Sequence, residues 1–281
     1  MLTVLEAIKL STDYLEKKGV ESPRMNAELL LSDILNKKRL ELYLSFDKPL
    51  DDDETVKYRE YIARRGKFEP LQYITGKVEF YGLPFYVDSS VLIPRPETEL
   101  LVEHLIEVVN KQSAKSILDI GTGSGNIAVT AAKFLNGVKI TSIDVSGEAI
   151  ATARKNAELN GVNGSIEFIH IDASEWEPGS GFDIIVSNPP YVAQKEYMTL
   201  QEEIVKYEPR NAVTDNSDGF TFYKVICGKA QKLLNENGSA LFEIGQGQAG
   251  EIKNILSGNG FKNIRSINDY QGIERIIVGD K

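Results

Sequence analysis

Asn188-Pro189-Pro190-Tyr191 is the segment of this sequence best suited to chemistry. It follows the apolar run Phe182-Asp183-Ile184-Ile185-Val186-Ser187, which predicts a buried parallel strand. A planar carboxamide or aryl amino nitrogen shares its lone pair with its neighbour, the same sharing that opposes peptide-bond rotation by ~18–20 kcal/mol. Such a nitrogen becomes nucleophilic only if that sharing is partly undone and its hydrogens are held by acceptors. Asn188 offers a side-chain carbonyl and Pro189 a backbone carbonyl. The prolines fix their own φ and push their predecessors towards extended geometry, so both acceptors are aimed before a substrate arrives. Tyr191 offers an aromatic face to a flat group. Asn-Pro and Pro-Pro also occur as ordinary turn dipeptides, and the segment alone leaves that alternative open.

A second signal lies upstream. Ser116-Ile117-Leu118-Asp119-Ile120 predicts a short strand, Gly121-Thr122-Gly123-Ser124-Gly125 a glycine loop, and Asn126 to Phe134 a helix. Strand, glycine loop and helix open the nucleotide-binding half of a doubly wound sheet, where glycines let a ligand approach the backbone. Asp144 ends the next strand, 139–143, and sits 19 residues after Gly125, where a carboxylate would grip both hydroxyls of a ribose. A dinucleotide fingerprint needs G-x-G-x-x-G, whereas this loop is G-x-G-x-G and is preceded by Asp119. An acid beside the loop repels a pyrophosphate and suits a ligand carrying sulfonium and ammonium groups, such as S-adenosylmethionine.

These segments need a frame. From about residue 92 the pattern alternates: helix 97–109, strand 116–120, helix 126–134, strand 139–143, helix 147–160, then strands 165–170 and 182–187. A long loop, helix 219–236, strand 239–243, a helix near 248–257 and a final pair 263–268 and 274–278 follow. Such alternation predicts an α/β fold, a mainly parallel sheet with helices on both faces, in which ligands bind beyond the carboxyl ends of the strands. The glycine loop, Asp144, Asp172 and Asn188 all fall on that edge. Residues 1 to about 68 read instead as a helical bundle. Thr3 to Glu6 form a capping box, with Val4, Ile8 and Leu15 on one face. Ser22-Pro23 is expected to cap a second helix and Asp51 to Asp53 to start another. Glu79-Phe80-Tyr81 and Pro84-Phe85-Tyr86-Val87 predict a hairpin. The expected domains are 1–76, helical; 77–91, a linking hairpin; and 92–281, the α/β unit.

Composition narrows the function classes. Charged residues at 26% and hydrophobic ones at 42% describe an ordinary globular chain. A net charge of −9 without a basic tract argues against stable nucleic-acid binding, which needs clustered Lys and Arg. Cys227 is the single cysteine and reads as core; His104 and His170 are isolated. No His, Cys and carboxylate spacing predicts a metal site. No stretch approaches a membrane span or the apolar core of a signal peptide, so a cytoplasmic location without membrane attachment is expected. Glu243 ends a strand on the active edge and could touch ligand or only loop amides.

Over nearly the whole length the sequence resembles the release factor glutamine methyltransferases. The resemblance rests on Asn188 to Tyr191, Glu69-Pro70-Leu71-Gln72-Tyr73-Ile74-Thr75-Gly76, Leu92-Ile93-Pro94-Arg95-Pro96-Glu97-Thr98-Glu99 and Tyr207-Glu208-Pro209-Arg210. It implies a seven-stranded class I methyltransferase sheet with an antiparallel last strand. It also implies methyl transfer from S-adenosyl-L-methionine, leaving S-adenosyl-L-homocysteine, to the side-chain amide of the glutamine in the Gly-Gly-Gln motif of class-I peptide chain release factors. The cofactor would lie across Gly121, Thr122, Gly123, Ser124 and Gly125, with its ribose on Asp144 and its adenine near Asp172 and Ala173, beside Asn188. Some members carry Trp where this chain has Ala173; Trp176 lies nearby. The substrate amide would meet Asn188, Pro189, Pro190 and Tyr191. Arg95 and Glu97 would hold it or the glycine loop, or Glu97 would simply cap the following helix. The amino-terminal domain would recognise the protein substrate. Asn-Pro-Pro-Tyr is shared with DNA and RNA amino-methyltransferases, so a nucleic-acid substrate, a ribosomal-protein glutamine and a non-catalytic cofactor-binding adaptor are the alternatives.

Overall fold

A computed structural model describes residues 2–281. The chain divides into two units, one comprising the residues up to Gly76 with Gln201–Tyr207, the other Lys77–Leu200 with Glu208–Lys281.

The first unit is helical: α1 (Val4–Lys17), α2 (Pro23–Leu35), α3 (Arg39–Tyr43), α4 (Asp52–Arg65) and α5 (Leu71–Thr75). Thr3 and Glu6 form the expected capping box, and Asp51 forms another with Glu54. Val4, Ile8, Leu15, Leu30 and Leu31 are buried together. Ser22 departs from expectation. Its backbone is left-handed and its side chain caps nothing; Pro23 begins α2, and the Asn26 amide donates to the Glu21 and Ser22 carbonyls. Glu28 is a fully buried carboxylate that accepts hydrogen bonds from Arg24, Arg39 and Tyr43.

The second unit opens with the hairpin β1 (Lys77–Phe80) and β2 (Leu83–Tyr86), then α6 (Pro96–Gln112), β3 (Ser116–Ile120), α7 (Asn126–Phe134), β4 (Lys139–Asp144), α8 (Gly147–Leu159), β5 (Ile166–His170), β6 (Phe182–Ser187) and α9 (Gln194–Tyr197). After α10 (Glu202–Tyr207), which belongs with the first unit, come α11 (Arg210–Val213), α12 (Thr221–Leu233), β7 (Leu234–Glu243), α13 (Ala249–Gly258), β8 (Lys262–Asn268) and β9 (Glu274–Asp280). Tyr81 and Gly82 turn the hairpin, both with positive φ, as a two-residue turn requires. Phe80 and Phe85 bury its inner face in the second unit's core.

The sheet runs β5-β4-β3-β6-β7-β9-β8, parallel from β5 to β7, with β9 antiparallel to both neighbours. Successive residues alternate between the two faces. Ile117, Ile184 and Val186 join the core beneath α6, α7 and α8, while Leu118, Ile185 and Phe242 join the core beneath α12 and α13. The order reverses between β3 and β6, where Ile120 lies opposite Ser187 and the Ser187 hydroxyl donates to the Ile120 carbonyl at 2.7 Å. A crevice therefore opens beyond those carboxyl ends.

Two sequence expectations need correction. Helix 219–236 stops at Leu233, and β7 starts at Leu234 rather than 239. Leu234 pairs with Phe182, and the left-handed Asn237 cannot continue a helix. The stretch between β6 and α12, expected as one long loop, contains α9, α10 and α11. Helices of four to six residues are too short to show a 3.6-residue period.

Candidate active site

A cleft of about 330 Å³ lies at the switch point between β3 and β6. Gly121, Thr122, Gly123 and Ser124 of the glycine loop line it with Asp144, Asp172, Ala173, Asn188, Pro189 and Pro190, whereas Gly125 does not.

The glycine loop has positive φ at Gly121, Gly123 and Gly125, a conformation that side-chain-bearing residues rarely adopt. A Cβ on Gly121 or Gly123 would meet nothing within 4 Å, so the backbone there is open to a ligand. Gly125 serves packing instead, since a Cβ would lie 3.0 Å from that of Ala153 on α8. The buried Asn156 side chain ties the loop to the hairpin: its Nδ2 donates to the Ser124 and Tyr86 carbonyls at 2.8 and 3.0 Å, and its Oδ1 accepts the Tyr86 amide at 2.7 Å. Nothing in the sequence pattern singled out Asn156.

Asp144 closes β4 beside this loop. Its Oδ2 accepts from the Gly123 amide at 2.9 Å and its Oδ1 from the Ser146 amide at 2.8 Å. Burial lifts its carboxyl above the ordinary value, opposed by those two amides. Each oxygen retains capacity for a further donor. Asp172, on the surface after β5, accepts from the Ser174 amide at 2.7 Å and is held below the usual carboxylate value by Ser174.

Asp119 occupies a different place from the one expected. It is completely buried and does not line the cleft. Its Oδ2 accepts from the Ser142 hydroxyl at 2.7 Å, its Oδ1 has no partner among the described residues, and burial pushes its carboxyl up to about 6. The carboxylates that reach the cleft are Asp144 and Asp172. Trp176 is likewise absent from the cleft wall and packs on Phe182, with ring centroids 5.9 Å apart. Adenine packing therefore cannot be assigned to it.

Asn188 and Pro189 sit immediately beyond β6, with trans peptide bonds. Asn188 Nδ2 donates to Thr98 Oγ1 at 3.1 Å, and Thr98 Oγ1 donates to Glu243 Oε2 at 2.6 Å. Glu243 is almost fully buried at the end of β7, and burial drives its carboxyl up to about 7. Tyr191 does not line this cleft; its hydroxyl points to Glu243 Oε1 at 3.4 Å, and its carbonyl accepts from Gln248 Nε2 at 2.9 Å. Burial and the nearby Glu243 charge raise the Tyr191 phenol well above its usual value.

The Ile-Pro-Arg-Pro-Glu-Thr-Glu segment divides into separate roles. Arg95 lines the cleft and pairs with Glu208 Oε1 at 2.5 Å, joining this segment to Tyr207-Glu208-Pro209-Arg210 and not to the glycine loop. Glu97 is exposed in the first turn of α6 and lies off the cleft wall. Sequence reasoning passed over Thr98, the buried hydroxyl of that segment, and left Glu243 undecided. They lie 145 residues apart, and their meeting required the fold. No group of three or more His, Cys, Asp or Glu among the described residues is placed to hold a metal, and no helix among them is long and apolar enough to cross a membrane.

Comparison with known proteins gives the family and the fold. Residues 6–76 match the family model described as PrmC N-terminal domain, and residues 96–217 match the methyltransferase small domain. The chain is 41% identical over 282 residues to a release factor glutamine methyltransferase of Chlorobaculum tepidum, covering 97% of this chain and 95% of that one. It is 42% identical over 279 residues to one from Geobacter sulfurreducens, covering 99% and 96%. Among solved structures, a methyltransferase from Pyrococcus furiosus superposes with a TM-score of 0.53 at 20% identity, over 82% of this chain and 99% of the other, which speaks for the fold alone.

Proposed function

Because the chain belongs to the release factor glutamine methyltransferase family, we propose that it methylates the side-chain amide nitrogen of the Gly-Gly-Gln glutamine in class-I peptide chain release factors, using S-adenosylmethionine. The observation that carries this reading is the shared cleft: the Asn188 amide and the Pro189 segment stand beside the open backbone of the glycine loop, with Asp144 on the same edge.

The cleft fits that cofactor. Backbone without Cβ obstruction at Gly121 and Gly123 admits a ligand in close contact. Asp144 keeps lone pairs for two ribose hydroxyls, and the carboxylates on the wall suit a cationic tail better than a pyrophosphate. When bound, S-adenosylmethionine supplies an electrophilic methyl carbon on its sulfonium.

The chain's own residues do the rest. Asn188 Oδ1 and the Pro189 carbonyl accept the two hydrogens of the glutamine NH₂, fixing its plane and drawing its lone pair out of conjugation. Both acceptors become better partners as positive charge grows on nitrogen, so they stabilise the transition state more than the ground state. Fixing the nitrogen in line for attack removes much of the entropic barrier. After transfer the nitrogen is cationic and acidic, and it releases its proton to water. Arg95, held by Glu208, keeps the wall beside Pro94 in place.

The first unit is assigned to recognising the folded release factor, which works in the cytoplasm, where this protein is accordingly placed. The test is direct. Incubate the protein with isotopically labelled S-adenosylmethionine and, separately, a release factor, ribosomal protein, DNA and RNA, then locate the label by mass spectrometry. Label on the Gly-Gly-Gln glutamine is expected; label confined to a ribosomal protein or nucleic acid overturns the assignment.

A further inference from the structure

Asn188 can serve as an acceptor only if its amide is the right way round, because a reversed amide would present NH₂ to the substrate NH₂. We propose that Thr98 and Glu243 are positioning residues that set this orientation, through a one-way chain of hydrogen bonds from Asn188 Nδ2 to Thr98 Oγ1 to Glu243 Oε2. This rests on the reading of Asn188 given above.

The argument is one of proton count. A threonine hydroxyl has a single proton, and an ionised carboxylate accepts only. Thr98 gives its proton to Glu243 at 2.6 Å, so its oxygen can only accept from Asn188, at 3.1 Å. The amide NH₂ is drawn to that side, and Oδ1 is left to the substrate. Thr98 is 1% exposed and Glu243 2%, so water does not compete for the chain. Both sit on rigid elements, Thr98 in the first turns of α6 and Glu243 at the end of β7.

Glu243 is also placed to make the orientation depend on pH. Thr98 and Glu97 face it from α6, Tyr191 from the loop after β6 and Arg275 from β9, while the Tyr223 hydroxyl on α12 donates to the Glu243 backbone carbonyl. Burial outweighs the donors, and its carboxyl titrates near 7. When Glu243 is protonated it can donate to Thr98, whose own proton is then free to turn to Asn188 and pull the amide round. The oriented form therefore gains population as pH rises through about 7.

The experiment measures kcat and KM with an intact release factor for Thr98→Val, Thr98→Ser, Glu243→Gln and Asn188→Ala, with S-adenosylmethionine affinity by calorimetry. Thr98→Val, close in shape but without the hydroxyl, is expected to lower kcat about 10–100-fold, the scale of a misplaced reacting partner, with KM and cofactor affinity little changed. Thr98→Ser restores most of that loss. Wild-type kcat rises through about pH 7, and Glu243→Gln, which has no proton to titrate there, flattens that limb. A wild-type Thr98→Val rate beside an inactive Asn188→Ala overturns the orientation chain alone; an active Asn188→Ala overturns the reading beneath it. Should Thr98→Val not fold, Glu243→Gln decides: an unchanged acid limb overturns the proposal.

Discussion

The Gly123 amide donates to Asp144 Oδ2 at 2.9 Å, which makes the glycine loop after β3 and the acid at the end of β4 one continuous cradle. Neither half is complete alone: the loop supplies open backbone, and the carboxylate both orders that backbone and keeps lone pairs for a ligand.

Asp144→Ala should therefore weaken cofactor binding from two causes, loss of the ribose acceptors and loosening of Gly123. A fall in S-adenosylmethionine affinity of about 10-fold or more is expected, the scale of one to two charge-assisted hydrogen bonds. Calorimetry returning the wild-type constant would remove Asp144 from the ribose site.

Asn188→Ala acts on turnover rather than cofactor binding. Removing a fixed dipole that meets developing charge costs about 10²–10³ in kcat. Cofactor affinity should move far less, because the cradle of Gly123 and Asp144 is untouched. Steady-state kinetics with saturating S-adenosylmethionine gives the answer, and a retained kcat would exclude Asn188 from the chemistry.

Gly125→Ala and Gly121→Ala separate packing from ligand approach. Both residues have positive φ, near +80°, where a side chain costs about 1–2 kcal/mol. Only at Gly125 does the new Cβ also press on Ala153, at 3.0 Å. Gly125→Ala should thus lower Tm more than Gly121→Ala, by several degrees at about 2–4 °C per kcal/mol. Gly121→Ala should instead weaken cofactor binding. Equal melting shifts would show that α7 and α8 are not held apart only by the missing side chain.

Glu28 links the stability of the first unit to pH. Burial alone would raise its carboxyl, but hydrogen bonds from Arg24, Arg39 and Tyr43 outweigh burial and hold it below its ordinary 4.5. The folded state then binds the proton less readily than the unfolded chain does. Its stabilisation is fully present above the unfolded value and is lost as pH falls through the lower folded value. Glu28→Gln should melt earlier at neutral pH and show a shallower loss of stability in acid than wild type. Thermal melts from about pH 3 to 7 check this; parallel curves for the two proteins would mean that Glu28 contributes nothing to the acid sensitivity.

Much of the site lay open in the linear chain because it is built from short local motifs. The glycine loop, Asp144 and Asn188-Pro189 each end a strand, and a parallel sheet brings strand ends to one edge whatever the details of packing. Alternation of strand and helix was equally readable, since burial on both faces demands long apolar runs. Asp119 and Tyr191 were located but not understood. Whether a strand-end side chain faces a cleft or the core depends on the pleat and on its neighbours, and Asp119 lies buried against Ser142 while Tyr191 turns to Glu243. The short helices α9, α10 and α11 carried no period to read, and the end of α12 was decided by strand pairing at Leu234. Thr98 and Glu243 lie 145 residues apart, and no local pattern couples them. Their meeting depends on α6 packing against β7, the strand that Glu243 ends. The chain's order thus decided which chemical groups reach the edge, whereas tertiary packing decided how the Asn188 amide is turned, because that orientation depends on hydrogen bonds between segments remote in sequence.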